Sequence, residues 1–284
     1  MEMVTLRELL GDACQNGYAV GAFNVSNLES IQAVVEAAEE LGSPVILQAA
    51  AEEVKYAGGK CLVAMIEETA RGRRIRFAIH LDHGPSYEFA LLCIRYGFTS
   101  VMFDGSRLSF ERNVEVTAQV VAAARAVGLS VEGELGTIGS TTEMGERIPE
   151  SQLTDPEKAG EFVARTRVDC LAPAFGTAHG LYRSEPRLDF QRLGRIREAA
   201  RVPLAMHGGT GVPAEQVRKA IGLGVAKINF STILRKSFID RMKQYMGEHP
   251  DDLMTMNILG EAARAMKESV KEMIAMCGSS GRYR

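Results

Sequence analysis

Short apolar segments rich in β-branched residues alternate with longer amphipathic segments along most of the chain. Eight of the apolar segments predict β-strands: Val20–Val25, Pro44–Ala49, Arg76–Leu81, Ser100–Phe103, Ser130–Glu134, Asp169–Phe175, Pro203–Met206 and Val225–Phe230. Between the strands, apolar residues recur every three or four positions, which predicts helices such as Leu28–Leu41, Phe110–Val127, Pro156–Thr166 and Pro213–Gly222. Near-continuous apolarity in the strands is typical of parallel strands covered on both faces.

Eight strand–helix units in 284 residues predict the fold class. The repeated strand-then-helix order implies a parallel sheet, and about 250 residues is the usual size of one closed eight-fold barrel. We therefore expect an α/β protein in which residues 1–284 form a single domain, a TIM (β/α)8 barrel; an open doubly wound sheet is the alternative. Two helices, Ile233–Met246 and Asn257–Met276, follow the last strand, so one additional C-terminal helix is expected. The polar tail Gly278–Arg284 should be mobile.

Charge and hydropathy exclude several classes of function. A formal net charge of -3 argues against a broad grip on nucleic acid or an anionic membrane. No apolar stretch reaches the roughly 18 residues of a membrane span, and the N-terminus lacks the pattern of a secretion signal, so we expect a cytoplasmic protein. The five cysteines are scattered without a CxxC pair, which predicts neither disulfides nor a thiolate metal site.

Three of the five histidines lie at or just beyond the ends of predicted strands: His83, His179 and His207. The carboxyl ends of the strands of a barrel meet around one mouth, where the active site of such a fold lies. Three imidazoles are a typical ligand set for a catalytic zinc ion, which keeps one coordination position open. His80 lies inside a strand, where it should pack behind the site, and His249 lies in a polar break; we interpret both as structural.

Other polar residues also end predicted strands: Asn24, Asp82, Asp104, Glu134 and Asn229. The segments Gly208-Gly209-Thr210-Gly211 and Asn229-Phe230-Ser231-Thr232 follow the last two strands. Barrels often bind phosphate there through backbone N–H groups at a helix N-terminus. Tight turns without a ligand are the alternative interpretation of the glycines.

Seven ordered sequence blocks, spread over nearly the whole chain, resemble the class II ketose-bisphosphate aldolases, the family of fructose- and tagatose-bisphosphate aldolases. They are Ala22-Phe23-Asn24-Val25, His80-Leu81-Asp82-His83-Gly84, Val101-Met102-Phe103-Asp104-Gly105-Ser106, Glu132-Gly133-Glu134-Leu135-Gly136, Gly176-Thr177-Ala178-His179-Gly180, His207-Gly208-Gly209-Thr210-Gly211 and Lys227-Ile228-Asn229. Together they are far more specific than any single block.

The resemblance implies a metal site and a proton carrier. It implies that His83, His179 and His207 hold one Zn²⁺ per subunit, which polarises the carbonyl of dihydroxyacetone phosphate and stabilises the enediolate formed on proton removal. It implies that Asp82 donates and accepts the proton at the aldehyde-derived oxygen; support of a histidine is the alternative role for Asp82.

Further residues match positions around the family's metal and substrate. Asp104 and Glu134 would tune the metal ligands or hold an alternate metal position, with salt bridges at the barrel mouth as the alternative. The expected substrate-binding residues are Asn24, Gly180, Gly208, Gly209, Thr210, Gly211, Asn229, Ser231 and Thr232. The same face of the family's site often holds a monovalent cation such as Na⁺ or K⁺.

The chain departs from the family pattern in three places. Ala50 stands where a hydroxyl residue usually contacts dihydroxyacetone phosphate, and Ser231 stands where fructose-type members often have aspartate. The family's enediolate-forming base is a loop glutamate after strand five, shortly after a Gly-Gly pair that here reads Gly139-Ser140. We assign that role to Glu143, with Glu146 in reserve and a merely solvated glutamate as the alternative.

The resemblance implies reversible aldol cleavage of a phosphorylated sugar. The substrate would be a ketose 1,6-bisphosphate of the fructose or tagatose type, and the products dihydroxyacetone phosphate and an aldehyde such as glyceraldehyde 3-phosphate. A homodimer or homotetramer is expected from the family. Two alternatives stay open: a divergent sugar-phosphate-binding barrel with altered substrate or no turnover, and a metal-dependent hydrolase, because three histidines and an aspartate could also activate water.

Overall fold

Eight parallel strands close into a barrel in the computed structural model, which describes residues 1–139 and 149–283. After a two-residue strand β1 (Glu2–Met3), the barrel strands are β2 (Val20–Asn24), β3 (Val45–Ala50), β4 (Arg76–Gly84), β5 (Ser100–Phe103), β6 (Ser130–Leu135), β7 (Cys170–Pro173), β8 (Leu204–Met206) and β9 (Val225–Phe230). Neighbours along the chain pair in sequence, and the pairing of β2 with β9 closes the ring. The TIM-barrel prediction is confirmed, and the open sheet was wrong.

Helices cover the outside of the barrel. They are α1 (Leu6–Asn16), α2 (Leu28–Leu41), α3 (Ala51–Ala57), α4 (Gly59–Ala70), α5 (Tyr87–Tyr96), α6 (Phe110–Ala126), α7 (Pro156–Thr166), α8 (Phe190–Ala200), α9 (Ala214–Gly222), α10 (Thr232–Glu248) and α11 (Thr255–Cys277), with a 3₁₀ turn at Glu150–Gln152. The additional C-terminal helix, α11, packs against α10 and α2. None of the helices in the described part of the chain has both the length and the apolar character of a membrane span.

The N-terminal end of the barrel is plugged by α1, which the strand–helix count does not include. Leu6, Leu9 and Leu10 of α1 are fully or almost fully buried and belong to one cluster with small residues of the strands, such as Ala22 and Ala205. Because alanine fills little of the barrel interior, leucine side chains can enter from below. The plug leaves the opposite end, where all the strands finish, as the open mouth.

Strand β4 extends beyond its predicted end, so that Asp82 and His83 lie within it. Its register with β5 shifts between Leu81 and Gly84, and His83 has a φ of +46°. A non-glycine residue in the left-handed region is strained, and such strain concentrates at functional sites. The irregularity turns the His83 side chain into the mouth of the barrel.

The expectation of a mobile tail was wrong for the residues that the structure describes. Ser279 is fully buried, and Ser43 Oγ lies 2.9 Å from its Oγ. The backbone N–H groups of Gly281 and Tyr283 donate to Leu41 O and Gly42 O, each at 2.8 Å. These bonds satisfy carbonyl groups left free at the C-terminal end of α2, which holds the tail in place.

Candidate active site

A cavity of about 330 Å³ opens at the carboxyl ends of the strands. Predicted site residues that line it are Asn24, Asp82, His83, Asp104, His179, Gly180, Gly208, Thr210, Asn229, Ser231 and Thr232. Ala50 also lines it, together with residues that the sequence did not indicate, among them Ser106, Arg107 and Arg235. Four other predicted site residues among those described do not line the cavity. His207 and Glu134 are fully buried beside His83, and Gly209 and Gly211 lie in the turn that follows β8.

The three predicted zinc ligands meet at the mouth. The ring centroid of His83 lies 5.0 Å from that of His179 and 4.8 Å from that of His207, and the last two are 5.8 Å apart. Each histidine offers one ring nitrogen to a group whose ligand atoms all lie within 4.8 Å of one another. The strands β4 and β8 and the loop after β7 therefore bring together residues that are up to 124 positions apart in sequence.

Carboxylates determine which ring nitrogens face the centre of this group. His83 Nδ1 lies 2.8 Å from Asp104 Oδ2, and His207 Nε2 lies 2.7 Å from Glu132 Oε1. Each imidazole can donate its N–H to the carboxylate, which leaves His83 Nε2 and His207 Nδ1 facing each other at 3.0 Å. His179 Nε2 is buried and makes no hydrogen bond to the described residues. Three converging ring nitrogens with carboxylate support fit a zinc ion, which would displace the proton shared by His83 Nε2 and His207 Nδ1.

Charge is unevenly divided among the three rings. Burial disfavours the charged form of His83, but Asp82 and the hydrogen bond to Asp104 outweigh burial and raise its pKa to about 10. Burial, together with the positive charge of His83, lowers the pKa of His179 to about 3. His179 is therefore neutral at physiological pH and keeps the lone pair that a metal requires.

Asp104 and Glu134 form a second group with His83. Glu134 Oε2 lies 3.6 Å from His83 Nδ1, and the three side chains offer ligand atoms within 4.8 Å of one another. Burial, reinforced by the charge of Asp104, raises the pKa of Glu134 to about 8. Ser106 donates through its hydroxyl to Asp104 Oδ1 at 2.6 Å. This geometry permits both predicted roles, tuning of His83 and an alternate metal position.

Asp82 is almost buried, with 5% of its surface exposed, and is surrounded by amide donors. Its Oδ1 accepts from Asn229 Nδ2 at 3.2 Å, and its Oδ2 accepts from Gln48 Nε2 at 3.2 Å and from Asn24 Nδ2 at 3.5 Å. Burial raises its pKa, but the positive charges of His83 and neighbouring groups outweigh burial and lower it to about 2. The result is a firmly oriented carboxylate 3.8 Å from His83 Nε2.

The residue-by-residue prediction omitted several buried polar residues: Gln48, Glu132 and Lys227 of the strands, and Glu53 of α3, which accepts from Asn24 Nδ2 at 2.9 Å. Glu132 and Lys227 are fully buried. Both are charged residues within otherwise apolar strands, and each lies two positions before a predicted site residue, Glu134 or Asn229, on the same strand face. That spacing was a signal in the sequence that could have identified them.

Tyr182 joins the two loops that flank the predicted phosphate-binding face. Its hydroxyl can donate either to Ala178 O at 2.9 Å or to Gly208 O at 3.1 Å. The same oxygen accepts from the backbone N–H of Ala178 at 2.8 Å. On the opposite side of the face, Thr232 begins α10 and lines the cavity. Backbone N–H groups at the start of a helix favour bound anions.

Gly208→Ala should lower both stability and substrate affinity. Gly208 has a φ of +66°, and a Cβ atom there would lie 2.2 Å from Ala178 O, so the loop that leads to His179 must move. We expect a loss of at least ~1 kcal/mol in unfolding free energy and an increased KM, measured by thermal melting and steady-state kinetics. In the control Gly222→Ala, the new Cβ meets no atom within 4 Å, so stability and KM should be unchanged or slightly improved. A native KM in Gly208→Ala would contradict the role of this turn.

Glu143 and Glu146, the candidates for the enediolate-forming base, lie outside the described residues. The last described residue before them, Gly139, lies beside the site, because Gly139 O accepts a hydrogen bond of 2.8 Å from the backbone N–H of His179. Gly139 and Ile138 also line the cavity. The assignment of the base stays a prediction.

Comparison with known proteins identifies the family. The family model "Fructose-bisphosphate aldolase class-II" matches residues 4–282. The chain belongs to this family. It is 42% identical to the fructose-bisphosphate aldolase of Geobacillus stearothermophilus over 99% of both chains, and 42% identical to the sulfofructosephosphate aldolase of Alkalicoccus urumqiensis over 100% of this chain and 99% of the other. The crystal structure of the YdjI aldolase from Escherichia coli K12 superposes with a TM-score of 0.88 at 34% identity, over 99% of this chain and 100% of that chain.

Membership defines the class of chemistry. The chain is a class II aldolase, a lyase that breaks or forms a carbon–carbon bond, and its family is generally zinc-dependent and acts on phosphorylated sugars. The alternatives of a metal-dependent hydrolase and of a barrel without turnover were therefore wrong, while a divergent member with an altered substrate stays an alternative.

Proposed function

We propose that this aldolase is zinc-dependent and reversibly cleaves a ketose 1,6-bisphosphate of the fructose or tagatose type. The products would be dihydroxyacetone phosphate and an aldehyde such as glyceraldehyde 3-phosphate. The observation that carries the proposal is the convergence of three imidazole nitrogens at the barrel mouth beside the nearly buried carboxylate of Asp82. A site of this composition places a Lewis acid and a proton carrier on the same substrate.

His83, His179 and His207 would hold the zinc ion. When bound, zinc supplies a Lewis acid that polarises the carbonyl of the ketose. The ligand-supporting groups are preorganised, because Asp104 and Glu132 already orient the rings of His83 and His207. Little rearrangement of side chains is then needed when the site forms.

Asp82 would carry the proton at the oxygen that becomes the aldehyde. In the cleavage direction its carboxylate accepts the hydroxyl proton as the carbon–carbon bond breaks, and in the synthetic direction it returns that proton. The amides of Asn24, Gln48 and Asn229 hold the carboxylate beside the metal-binding group without bonding it to the ring of His83. A fixed carboxylate at the cavity wall suits this role, since proton transfer requires hydrogen-bond distance to the reacting oxygen.

The phosphate of the dihydroxyacetone unit would lie against Gly180, Gly208, Ser231 and the first turn of α10, which begins at Thr232. The glycines allow the backbone to come close to the phosphate oxygens, and the helix N-terminus favours their negative charge. A monovalent cation such as Na⁺ or K⁺ on this face is part of the proposal. Asn229, between this face and Asp82, would contact the carbon chain.

The part of the substrate beyond the dihydroxyacetone phosphate unit, which becomes the aldehyde, is the part that the proposal leaves to experiment. The two relatives at 42% identity are named for different substrates, a fructose bisphosphate and a sulfofructose phosphate. Ala50 and Ser231 line the cavity of this chain at positions where its sequence departs from the family pattern. Both support a test across substrates that share the dihydroxyacetone phosphate half and differ beyond it.

The test is an assay of the purified, zinc-loaded protein against fructose 1,6-bisphosphate, tagatose 1,6-bisphosphate and a sulfofructose phosphate. We expect release of dihydroxyacetone phosphate, measured by a coupled reductase, from one of the two bisphosphates with kcat/KM at least tenfold above the other substrates. Preference for the sulfonated sugar would keep the aldol chemistry and overturn the bisphosphate assignment. Absence of dihydroxyacetone phosphate from all three would overturn the proposal as a whole.

A further inference from the structure

Below the mouth, the barrel contains a buried ion cluster that includes Lys227, a residue with no part in the proposed steps. Lys227 Nζ lies 2.9 Å from Glu132 Oε2, and both residues are fully buried. His80 borders the pair, with its Nε2 3.4 Å from the same carboxylate oxygen and its Nδ1 2.8 Å from Ser100 Oγ. Burial of two charges costs desolvation free energy that well-packed apolar side chains would avoid. The second contact of Lys227 offers a functional reason for this cost.

That other contact is with Asn229. Lys227 Nζ donates to Asn229 Oδ1 at 2.7 Å, because the two residues lie two positions apart on β9 and point to the same side. An ammonium group is only a donor, so the amide oxygen must face Lys227. The amide Nδ2 then points away from Lys227 and donates to Asp82 Oδ1 at 3.2 Å.

We propose that Lys227 is a positioning residue for the cleavage step: it holds the Asn229 amide in the orientation that donates to Asp82. The inference rests on the proposed function, since it requires Asp82 to carry the proton. Without Lys227 the buried Asn229 Oδ1 loses its ammonium donor, and the amide is held from one end only. It can then shift towards another donor, which weakens or breaks its hydrogen bond to Asp82.

Lys227 is connected to the site by two branches of contacts: through Glu132 to the proposed zinc ligand His207, and through Asn229 to Asp82. A test must separate these two branches. Glu132, the ion-pair partner of Lys227, accepts from His207 Nε2 at 2.7 Å. Loss of the lysine could therefore affect zinc binding through His207 or cleavage through Asp82. Zinc content and solvent exchange of the carbon-bound hydrogen of dihydroxyacetone phosphate report on the first branch, because exchange precedes carbon–carbon bond formation. Cleavage requires both branches.

The experiment is a double-mutant cycle of Lys227→Met and Asp82→Asn, with zinc content, hydrogen exchange and kcat for cleavage measured in each protein. We expect Lys227→Met alone to slow cleavage by about 10²-fold and to retain stoichiometric zinc and exchange within about threefold. In the Asp82→Asn background, Lys227→Met should cause no further loss of cleavage, since its effect passes through Asp82. The matched control Lys243→Met removes an exposed lysine of α10 and should leave all three measurements unchanged.

A conservative variant and a charge-compensated background complete the test. Lys227→Gln keeps an N–H donor for Asn229 Oδ1 and should retain cleavage within about tenfold of the native rate. If Lys227→Met does not fold, the cycle is run in a Glu132→Gln background, where removal of the ammonium leaves no unpaired carboxylate. The same disappearance of the Lys227 effect in the presence of Asp82→Asn is expected there.

The outcomes distinguish this inference from the proposed function. If Asp82→Asn alone cleaves at the native rate, the role of Asp82 and hence the proposed function is wrong. If Asp82→Asn is crippled but Lys227→Met costs the same factor in its presence as in its absence, only the positioning role is overturned. Loss of zinc and exchange in Lys227→Met, in proportion to cleavage, would likewise overturn that role and assign the lysine to the His207 branch.

Discussion

Replacement of His179 by alanine should remove the metal together with the activity. His179 supplies one of only three imidazoles in the proposed ligand set, and its buried Nε2 has no hydrogen bond to the described residues that could occupy it instead. Loss of one ligand of three should weaken zinc binding and aldol cleavage by at least about 10²-fold, since even loss of a group that only supports a ligand costs 10–100-fold. Zinc content by atomic spectroscopy and kcat/KM on the same preparation are the measurements.

The control for this variant is His249→Ala, which removes an exposed histidine at the C-terminal end of α10. It should bind stoichiometric zinc and turn over at the native rate. Chelation of the native protein should abolish activity, and zinc should restore it. Stoichiometric zinc with normal turnover in His179→Ala would refute the ligand assignment, and a fully active metal-free preparation would refute zinc dependence.

The strands and the histidine group were predictable because both depend on local pattern and on one topological rule. Parallel strands buried on both faces give apolar segments, and the observed strand β9 has the predicted bounds Val225–Phe230. Once the strands are placed, the barrel itself brings their carboxyl ends together, so the proximity of His83 and His207 follows without knowledge of coordinates.

What could not be predicted depends on contacts between distant segments. The left-handed backbone of His83 follows from the shift of β4 against β5, which the pattern of neither strand records. The order of the tail depends on carbonyl groups at the end of α2, near the other end of the sequence, which accept from the N–H groups of Gly281 and Tyr283. The partnership of Lys227 with Glu132 depends on two strands that are not neighbours in the ring, so only the barrel interior brings them within 2.9 Å.

Replacement of Asp82 and of Glu143 should impair different steps, because the proposed mechanism assigns them different protons of one reaction. If Asp82 carries the proton at the oxygen of the aldehyde half, Asp82→Asn should slow carbon–carbon cleavage by on the order of 10²–10⁴-fold. Zinc binding and solvent exchange of the carbon-bound hydrogen of dihydroxyacetone phosphate should stay largely intact. The amide of asparagine can keep the position held by Gln48 and Asn229 but cannot carry the proton.

Glu143→Gln should show the opposite pattern. If Glu143 removes the proton that creates the enediolate, its loss should slow hydrogen exchange by on the order of 10²–10⁴-fold. The overall rate of the aldol reaction should fall with it, because that reaction includes the same proton transfer. The motivation is position in the chain: Asp82 lies in β4 beside His83, while Glu143 comes shortly after Gly139, a residue that lines the cavity. Native exchange in Glu143→Gln would transfer the role to Glu146, and native exchange in both variants would show that the base lies elsewhere in the site.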